Sequence, residues 1–156
     1  MYPFLLTLHS LLRWVVVILG VIAVVRGFMG WRGNRPWTQT DNRVGLAFVT
    51  SLDVQLLIGF LLYVVFSPMT TAALRDFGGA MGNSVLRFYA VEHLFGMVVA
   101  LVVAHVGRSL ARRDRPAAAK HRLAALFFLA ALLIIFISIP WPFMPAGAGR
   151  PWFRLG

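Results

Sequence analysis

Four long apolar stretches alternate with short polar connections along this chain. They run over approximately residues 4–29, 44–66, 85–106 and 123–139. A bilayer core about 30 Å thick is crossed by roughly 20 apolar residues in a helix, and each stretch meets or approaches that length. The pattern predicts an all-α fold: a transmembrane four-helix bundle in which residues 1–156 form a single membrane domain.

The composition supports a membrane protein. Hydrophobic residues make up 60% of the 156 positions and charged residues only 13%, which leaves too little polar surface to enclose a water-soluble core. The first stretch lacks the basic region and the small-residue cleavage site of a signal peptide, so we expect it to be retained as a helix. These features predict a multi-pass protein of the bacterial inner (cytoplasmic) membrane, in contact with the lipid bilayer.

The distribution of charge predicts the orientation of the bundle. Most basic residues lie in two connections, residues 30–43 and 107–122, whereas the connection between the second and third stretches carries Arg75 offset by Asp76. Basic connections favour the cytoplasmic side, so both termini are predicted on the outer (periplasmic) side. The net charge of +10 thereby reports membrane orientation, and we expect no nucleic acid as a partner.

The last 17 residues, 140–156, differ from the apolar stretches. Pro140 and Pro142 end the fourth helix, because proline lacks the backbone N–H that a helix requires. The segment is rich in Trp and Phe, which favour the headgroup region of a membrane. It is predicted to be an interfacial tail.

The four histidines, His9, His93, His105 and His121, all lie within or beside the apolar stretches. With a rise of 1.5 Å per residue, His9 lies about 9 Å and His93 about 13 Å below the outer edge. His105 and His121 lie near the inner edge. The histidines therefore form one depth-matched pair in each leaflet.

Paired histidines at matched depth indicate haem. In b-type cytochromes two imidazoles from facing helices bind the iron, and four-helix bundles hold such cofactors between inward-facing side chains. The absence of cysteine excludes covalent c-type attachment. His9 and His93 are the first candidate pair of iron ligands. His105 and His121 are candidates for a second haem, although the neighbouring Lys120 and Arg122 offer a simpler interfacial explanation for His121. The structural alternative is that each histidine hydrogen bonds to another helix.

Three further polar residues lie within the apolar stretches. Arg13 is one helical turn after His9, where it suits a haem propionate or, without any cofactor, a salt bridge with Glu92. Glu92 precedes His93 and points about 100° away from it, and it is a candidate proton or quinone group. Asp53, near the middle of the second stretch, is a candidate proton or quinone group; the alternative is a neutral acid that bonds to a neighbouring helix.

Several motifs resemble a family of small bacterial four-helix membrane proteins labelled cytochrome b-like. They are Leu-His-Ser-Leu-Leu-Arg-Trp (8–14), Ala-Val-Glu-His-Leu-Phe-Gly-Met (90–97), Ala-His-Val-Gly-Arg (104–108), Lys-His-Arg (120–122), Ile-Pro-Trp-Pro-Phe (139–143) and Gly-Arg-Pro-Trp-Phe-Arg (149–154). This resemblance implies haem b. A more distant resemblance, to HemJ-type protoporphyrinogen oxidases and CopD-like proteins, would make His9 and His105 the matching functional positions.

Three functions follow from these observations. The first is a haem b-binding cytochrome that carries electrons, with one or two haems and a link to quinol. The second is a cofactor-free accessory subunit of a larger respiratory or photosynthetic complex. The third is a HemJ-like protoporphyrinogen oxidase. An electron-transfer component is favoured over a stand-alone enzyme.

Overall fold

We analysed a computed structural model of the chain, which describes residues 1–149 and 151–153. The described residues form an all-α structure, which confirms the predicted fold class. The helices, in chain order, are α1 (Tyr2–Arg32), α2 (Gln39–Leu61), α3 (Pro68–Arg75), α4 (Phe77–Gly82), α5 (Ser84–Arg87), α6 (His93–Arg112) and α7 (Ala117–Ser138). Two π-helical segments, Leu62–Phe66 and Phe88–Glu92, extend α2 and precede α6, and a 3₁₀ turn covers Pro145–Gly147.

Four helical spans are long and apolar enough to cross a membrane. They are Tyr2–Arg32, Gln39–Phe66, Ser84–Arg112 and Ala117–Ser138. Their outward faces carry exposed apolar side chains such as Leu57, Phe95 and Ile137. A surface of this kind suits lipid and not water. The chain is therefore a multi-pass membrane protein.

The helices pack in a ring. Helices α1 and α6 each have α2 and α7 as neighbours, so α1 and α6 face each other across the bundle. The α1–α7 contact is close at Gly27, where an added Cβ atom would lie 2.9 Å from the backbone of Ala125. Small residues allow membrane helices to approach in this way. Large side chains such as Phe48, Phe128 and Ile135 fill the interior.

One end of the bundle, here called the covered end, contains the start of α1 and the end of α7. Helices α3, α4 and α5 lie there, in a segment for which the sequence pattern predicted only a connection. Each begins with a side-chain cap, from Ser67, Asp76 and Asn83 respectively. Such caps satisfy the first backbone N–H groups of a short helix. The segment is therefore folded against the bundle.

The tail after α7 also lies at the covered end. Trp141 is buried and packs against Trp14 of α1, with ring centroids 6.1 Å apart, whereas Phe143 is exposed. The hydroxyl of Tyr89 donates to the carbonyl of Ala146 at 2.6 Å. The tail is thus attached to the bundle along residues 141–146. Of the predicted interfacial tail, residues 150 and 154–156 lie outside the described part of the chain.

The opposite end, here called the basic end, contains the connections 33–38 and 113–116. Thr38 and Asp41 form a capping box at the start of α2: the Thr38 backbone N–H donates to Asp41 Oδ2 at 2.8 Å. The other oxygen of Asp41 accepts from Arg26 of α1 at 2.8 Å. One carboxylate therefore both starts α2 and ties it to α1.

Candidate functional site

The covered end brings His9 and His93 together. His9 lies on α1 and His93 is the first residue of α6, so the two rings meet across the bundle. Their centroids are 6.3 Å apart, and the ring planes make an angle of 72°. The π-helical segment Phe88–Glu92 ends directly before His93. Such segments are frequent at functional sites, because they change the direction in which the following side chains point.

A backbone carbonyl holds the ring of His93. Its Nδ1 atom lies 2.6 Å from the carbonyl oxygen of Ser138, at the end of α7. Since the carbonyl can only accept, Nδ1 carries a proton, and in the neutral ring Nε2 then carries the lone pair. Histidines that bind metals commonly make this second hydrogen bond, which fixes both the tautomer and the ring orientation.

Helix α2 contributes two residues to the placement of His9. The side chain of Gln55 donates to the His9 carbonyl at 3.0 Å. Gly59 faces the imidazole, and a Cβ atom there would lie 3.0 Å from His9 Cε1. Among the described residues, the buried Nδ1 of His9 has no hydrogen-bond partner. Leaving such an atom buried without a partner costs roughly 1–3 kcal/mol.

A cavity of about 150 Å³ adjoins the two rings. Its apolar walls include Leu52 and Leu56 of α2, Met97 of α6, and Ile135 of α7. Pockets that enclose drug-sized ligands are larger, roughly 300–1,000 Å³. A porphyrin therefore requires these flexible apolar side chains to move outward.

The spacing of the two rings would allow them to share one metal atom. Two imidazoles that share one metal, each with nitrogen at roughly 2 Å, have ring centroids about 6 Å apart, close to the spacing observed here. Within the described part of the chain, no group of three or more His, Cys, Asp or Glu side chains is placed to hold a metal. A porphyrin would supply four nitrogens of its own to its iron, and His9 and His93 could then provide the two remaining ligands.

Arg13 lines the same cavity and is fixed by the tail. Its Nη2 atom donates to the carbonyl of Trp152 at 2.8 Å. The guanidinium also lies over the ring of Trp14, 5.3 Å from the centroid, and over Trp141 at 5.9 Å. Stacking on aromatic faces and a carbonyl contact hold this cation near His9.

The alternative salt bridge between Arg13 and Glu92 is not formed. The carboxylate of Glu92 accepts instead from Arg87, at 2.7 Å, in a pair that is about half exposed. Arg87 and Glu92 pair because α5 and the π-helical segment place both side chains on the same outer side of the bundle. Glu92 therefore belongs to the surface of the covered end, not to the cavity.

The other two histidines do not meet. His121 is 2% exposed and packs against the ring of Trp37, with centroids 4.8 Å apart and its Nε2 3.4 Å from the carbonyl of Pro36. His105 bonds to Asp53 on α2, with 2.9 Å between Nε2 and Oδ1. The cavity beside His121 is about 10 Å³, room for roughly one water molecule, and His105 does not line it. His105 and His121, the predicted second pair of iron ligands, therefore lie in separate environments and do not face each other.

Several residues of the site were missed from the sequence. The Ser138 carbonyl is a backbone group, so no side-chain pattern identifies it. Gly59 resembles the other glycines that allow close helix packing, and only the structure shows a histidine against it. Gln55 could have been identified from the sequence, because an amide side chain within an apolar stretch needs a hydrogen-bond partner on a neighbouring helix.

Comparison with known proteins does not assign the chain to a family. No protein-family model, curated protein or solved structure matches the chain. The candidate site is therefore defined by two facing imidazoles, the carbonyl that orients one of them, and the cavity beside them.

Proposed function

We propose that this chain is a haem b-binding integral membrane cytochrome that carries electrons, with His9 and His93 as axial ligands. The observation that carries the proposal is the approach of the two rings across the bundle, 6.3 Å between centroids, with His93 oriented by Ser138. A bound haem supplies one-electron chemistry. The chain's own contribution is to orient two neutral imidazoles and to exclude water with Leu52, Leu56 and Ile135.

Arg13 supports a ligand that carries carboxylates. A guanidinium pairs with carboxylate groups through two parallel N–H donors, and Arg13 lies on the cavity wall one turn from His9. We assign it to a haem propionate. The same arrangement would serve a HemJ-like enzyme that holds the carboxylates of protoporphyrinogen, which keeps that activity as a second candidate.

The membrane and the orientation are part of the proposal. Basic residues concentrate at the basic end, including Arg32, Arg35, Arg113 and Arg115, which supports placing that end in the cytoplasm. The covered end, with the start of α1, the described part of the tail and the proposed haem site, then faces the periplasm of a bacterial inner membrane. An outer position suits exchange of electrons with a quinol and with a larger respiratory or photosynthetic complex.

A cofactor-free accessory subunit is the main competing function. In that case His9 and His93 would serve only to join α1 to α6. The second imidazole facing His9 and the cavity beside the two rings argue against it, because a histidine used only for packing needs neither. The resemblance to cytochrome b-like proteins also favours a haem.

Visible spectroscopy tests the proposal. The chain is expressed in a host with ample haem, purified in detergent, and examined oxidised and dithionite-reduced. We expect a reducible low-spin b-type spectrum that is lost in both His9→Ala and His93→Ala, with an iron-to-protein ratio that counts the haems.

Met97→Leu is the matched control, since Met97 lines the cavity and thioether sulfur is the other common axial ligand. Its spectrum should equal that of the wild type. A wild-type protein without haem, or a low-spin spectrum that survives both histidine substitutions, contradicts the proposal. Oxidation of protoporphyrinogen by the purified protein would instead favour the enzyme.

A further inference from the structure

The pair formed by His105 and Asp53 is polar, exposed and located within two candidate membrane spans. The distance from His105 Nε2 to Asp53 Oδ1 is 2.9 Å, and the side chains are 49% and 41% exposed. His105 belongs to the span Ser84–Arg112 and Asp53 to Gln39–Phe66. Ionisable side chains at such positions are rare and usually functional, because lipid does not solvate them.

The surface around the pair is apolar. Exposed apolar side chains lie about one turn away on each helix, Val102 from His105 on α6 and Leu57 from Asp53 on α2. Helices α2 and α6 also pack less extensively than the other neighbouring long helices of the ring. The pair therefore lies in a seam that opens sideways towards the bilayer.

The pair offers hydrogen-bond acceptors to a ligand. When Nε2–H of His105 donates to Oδ1 of Asp53, the ring Nδ1 and the second carboxylate oxygen can accept from another molecule. A matching ligand must dissolve in the bilayer and carry a hydroxyl group that donates a hydrogen bond. A quinol has both properties.

The pair lies at nearly the depth of a residue that supports the candidate haem site. Asp53 lies two residues before Gln55, whose side chain donates to the His9 carbonyl. Two residues correspond to about 3 Å along a helix axis and to a rotation of about 200° around it. A ligand bound at Asp53 and His105 would therefore lie at nearly the depth of Gln55, on the other face of α2.

We propose that Asp53 and His105 form a binding site for the headgroup of a quinol that enters from the bilayer between α2 and α6. Its hydroxyl group donates to the pair, and its apolar chain remains in lipid. This inference rests on the proposed function for its role in electron transfer, although binding itself requires no haem.

The test is a binding titration with a fluorescent hydroxyquinoline N-oxide, a quinol analogue whose emission is quenched on binding to protein. The purified full-length chain is used in nanodiscs. We expect saturable quenching by the wild type and an affinity lower by about tenfold or more in Asp53→Asn and His105→Gln, because each removes a charged or orienting hydrogen-bond partner.

Two further variants make the result specific. Glu92→Gln removes an exposed carboxylate at the covered end and should bind as the wild type does. Val102→Trp narrows the seam one turn from His105 without touching the pair, and should weaken binding even if the pair variants fail to fold.

Absence of quenching by the wild type, or equal affinity in all variants, would overturn the proposal. So would a dimer that dissociates in Asp53→Asn and His105→Gln while the analogue still binds normally, since the pair would then join two copies of the chain. Because quenching is measured separately from the haem spectrum, loss of one without the other shows which proposal has failed.

Discussion

The two ends of the bundle contain the same chemical groups in opposite arrangements. At the covered end, His9 and His93 face each other beside a cavity of about 150 Å³. Towards the basic end, His105 and His121 turn to different partners, Asp53 and the Trp37 region, and the cavity is about 10 Å³. His93 and His105 are twelve residues apart on one helix, which rotates them by about 120°. Matched depth is therefore not sufficient to bring two histidines together, because their rotation about the helix axes determines whether the rings face each other.

Burial alone does not separate the two ends. His9 and His121 each have a buried Nδ1 atom without a hydrogen-bond partner among the described residues. The difference lies in what surrounds them. His9 has a second imidazole and space nearby, whereas His121 is enclosed by Gly30 and Trp37. The comparison therefore predicts a cofactor role for one histidine and a packing role for the other.

The largest expected effect separates these roles directly. His121→Ala should lower the free energy of unfolding by about 2–4 kcal/mol, because it leaves a hole in a packed region. It should leave the haem absorbance unchanged, whereas His9→Ala removes the absorbance. Denaturant unfolding in detergent and absorbance measured on the same samples test this. Equal loss of haem in both variants would show that the two ends do not differ as described.

A second substitution tests the salt bridge that joins α1 to α2 at the basic end. Asp41 is 7% exposed and Arg26 is 39% exposed. Asp41→Asn should cost about 2 kcal/mol, less than the 3–5 kcal/mol of a fully buried pair, because solvent partly screens Arg26. Unfolding of Asp114→Asn, which changes an exposed acid in the connection to α7, provides the control and should differ little from wild type. A similar loss in both variants would contradict the assigned role of Asp41.

Glycine substitutions probe the packing of His121. A Cβ atom at Gly30 would overlap the His121 ring, whereas one at Gly78 meets nothing within 4 Å. Gly30→Ala should therefore destabilise by about 1–3 kcal/mol. Gly78→Ala should be neutral or stabilise by up to about 1 kcal/mol, since alanine favours helix. Thermal unfolding of the two variants checks the difference, and an unaffected Gly30→Ala would mean that His121 has room to move.

The smallest effect is expected at the surface of the covered end. The salt bridge between Arg87 and Glu92 is about half exposed, so Glu92→Gln should change the free energy of unfolding by about 1 kcal/mol or less. The haem absorbance should not change. A large spectral change would instead connect Glu92 to the cavity.

The four spans could be predicted from the sequence, whereas the candidate site could be predicted only in part. Apolar length was sufficient for the four spans, since that property depends on neighbouring residues only. The contact between His105 and Asp53 joins residues 52 positions apart, so it depends on how α6 and α2 pack. A rise of 1.5 Å per residue places His9 and His93 at similar depth, but this value assumes a regular helix. The π-helical segment before His93 departs from that rule, and the composition of Phe88–Glu92 does not reveal it.

The contact of Trp152 with α1 has a consequence for assembly. Its carbonyl accepts from Arg13 and Trp14, which precede it by 139 and 138 positions. During synthesis, Arg13 and Trp14 therefore cannot make these hydrogen bonds until Trp152 has been added to the chain. Arg13 and the tail residue Pro151 both line the cavity. The proposed function therefore predicts that haem supplied during synthesis, before the tail is in place, loads the protein more completely than haem added afterwards.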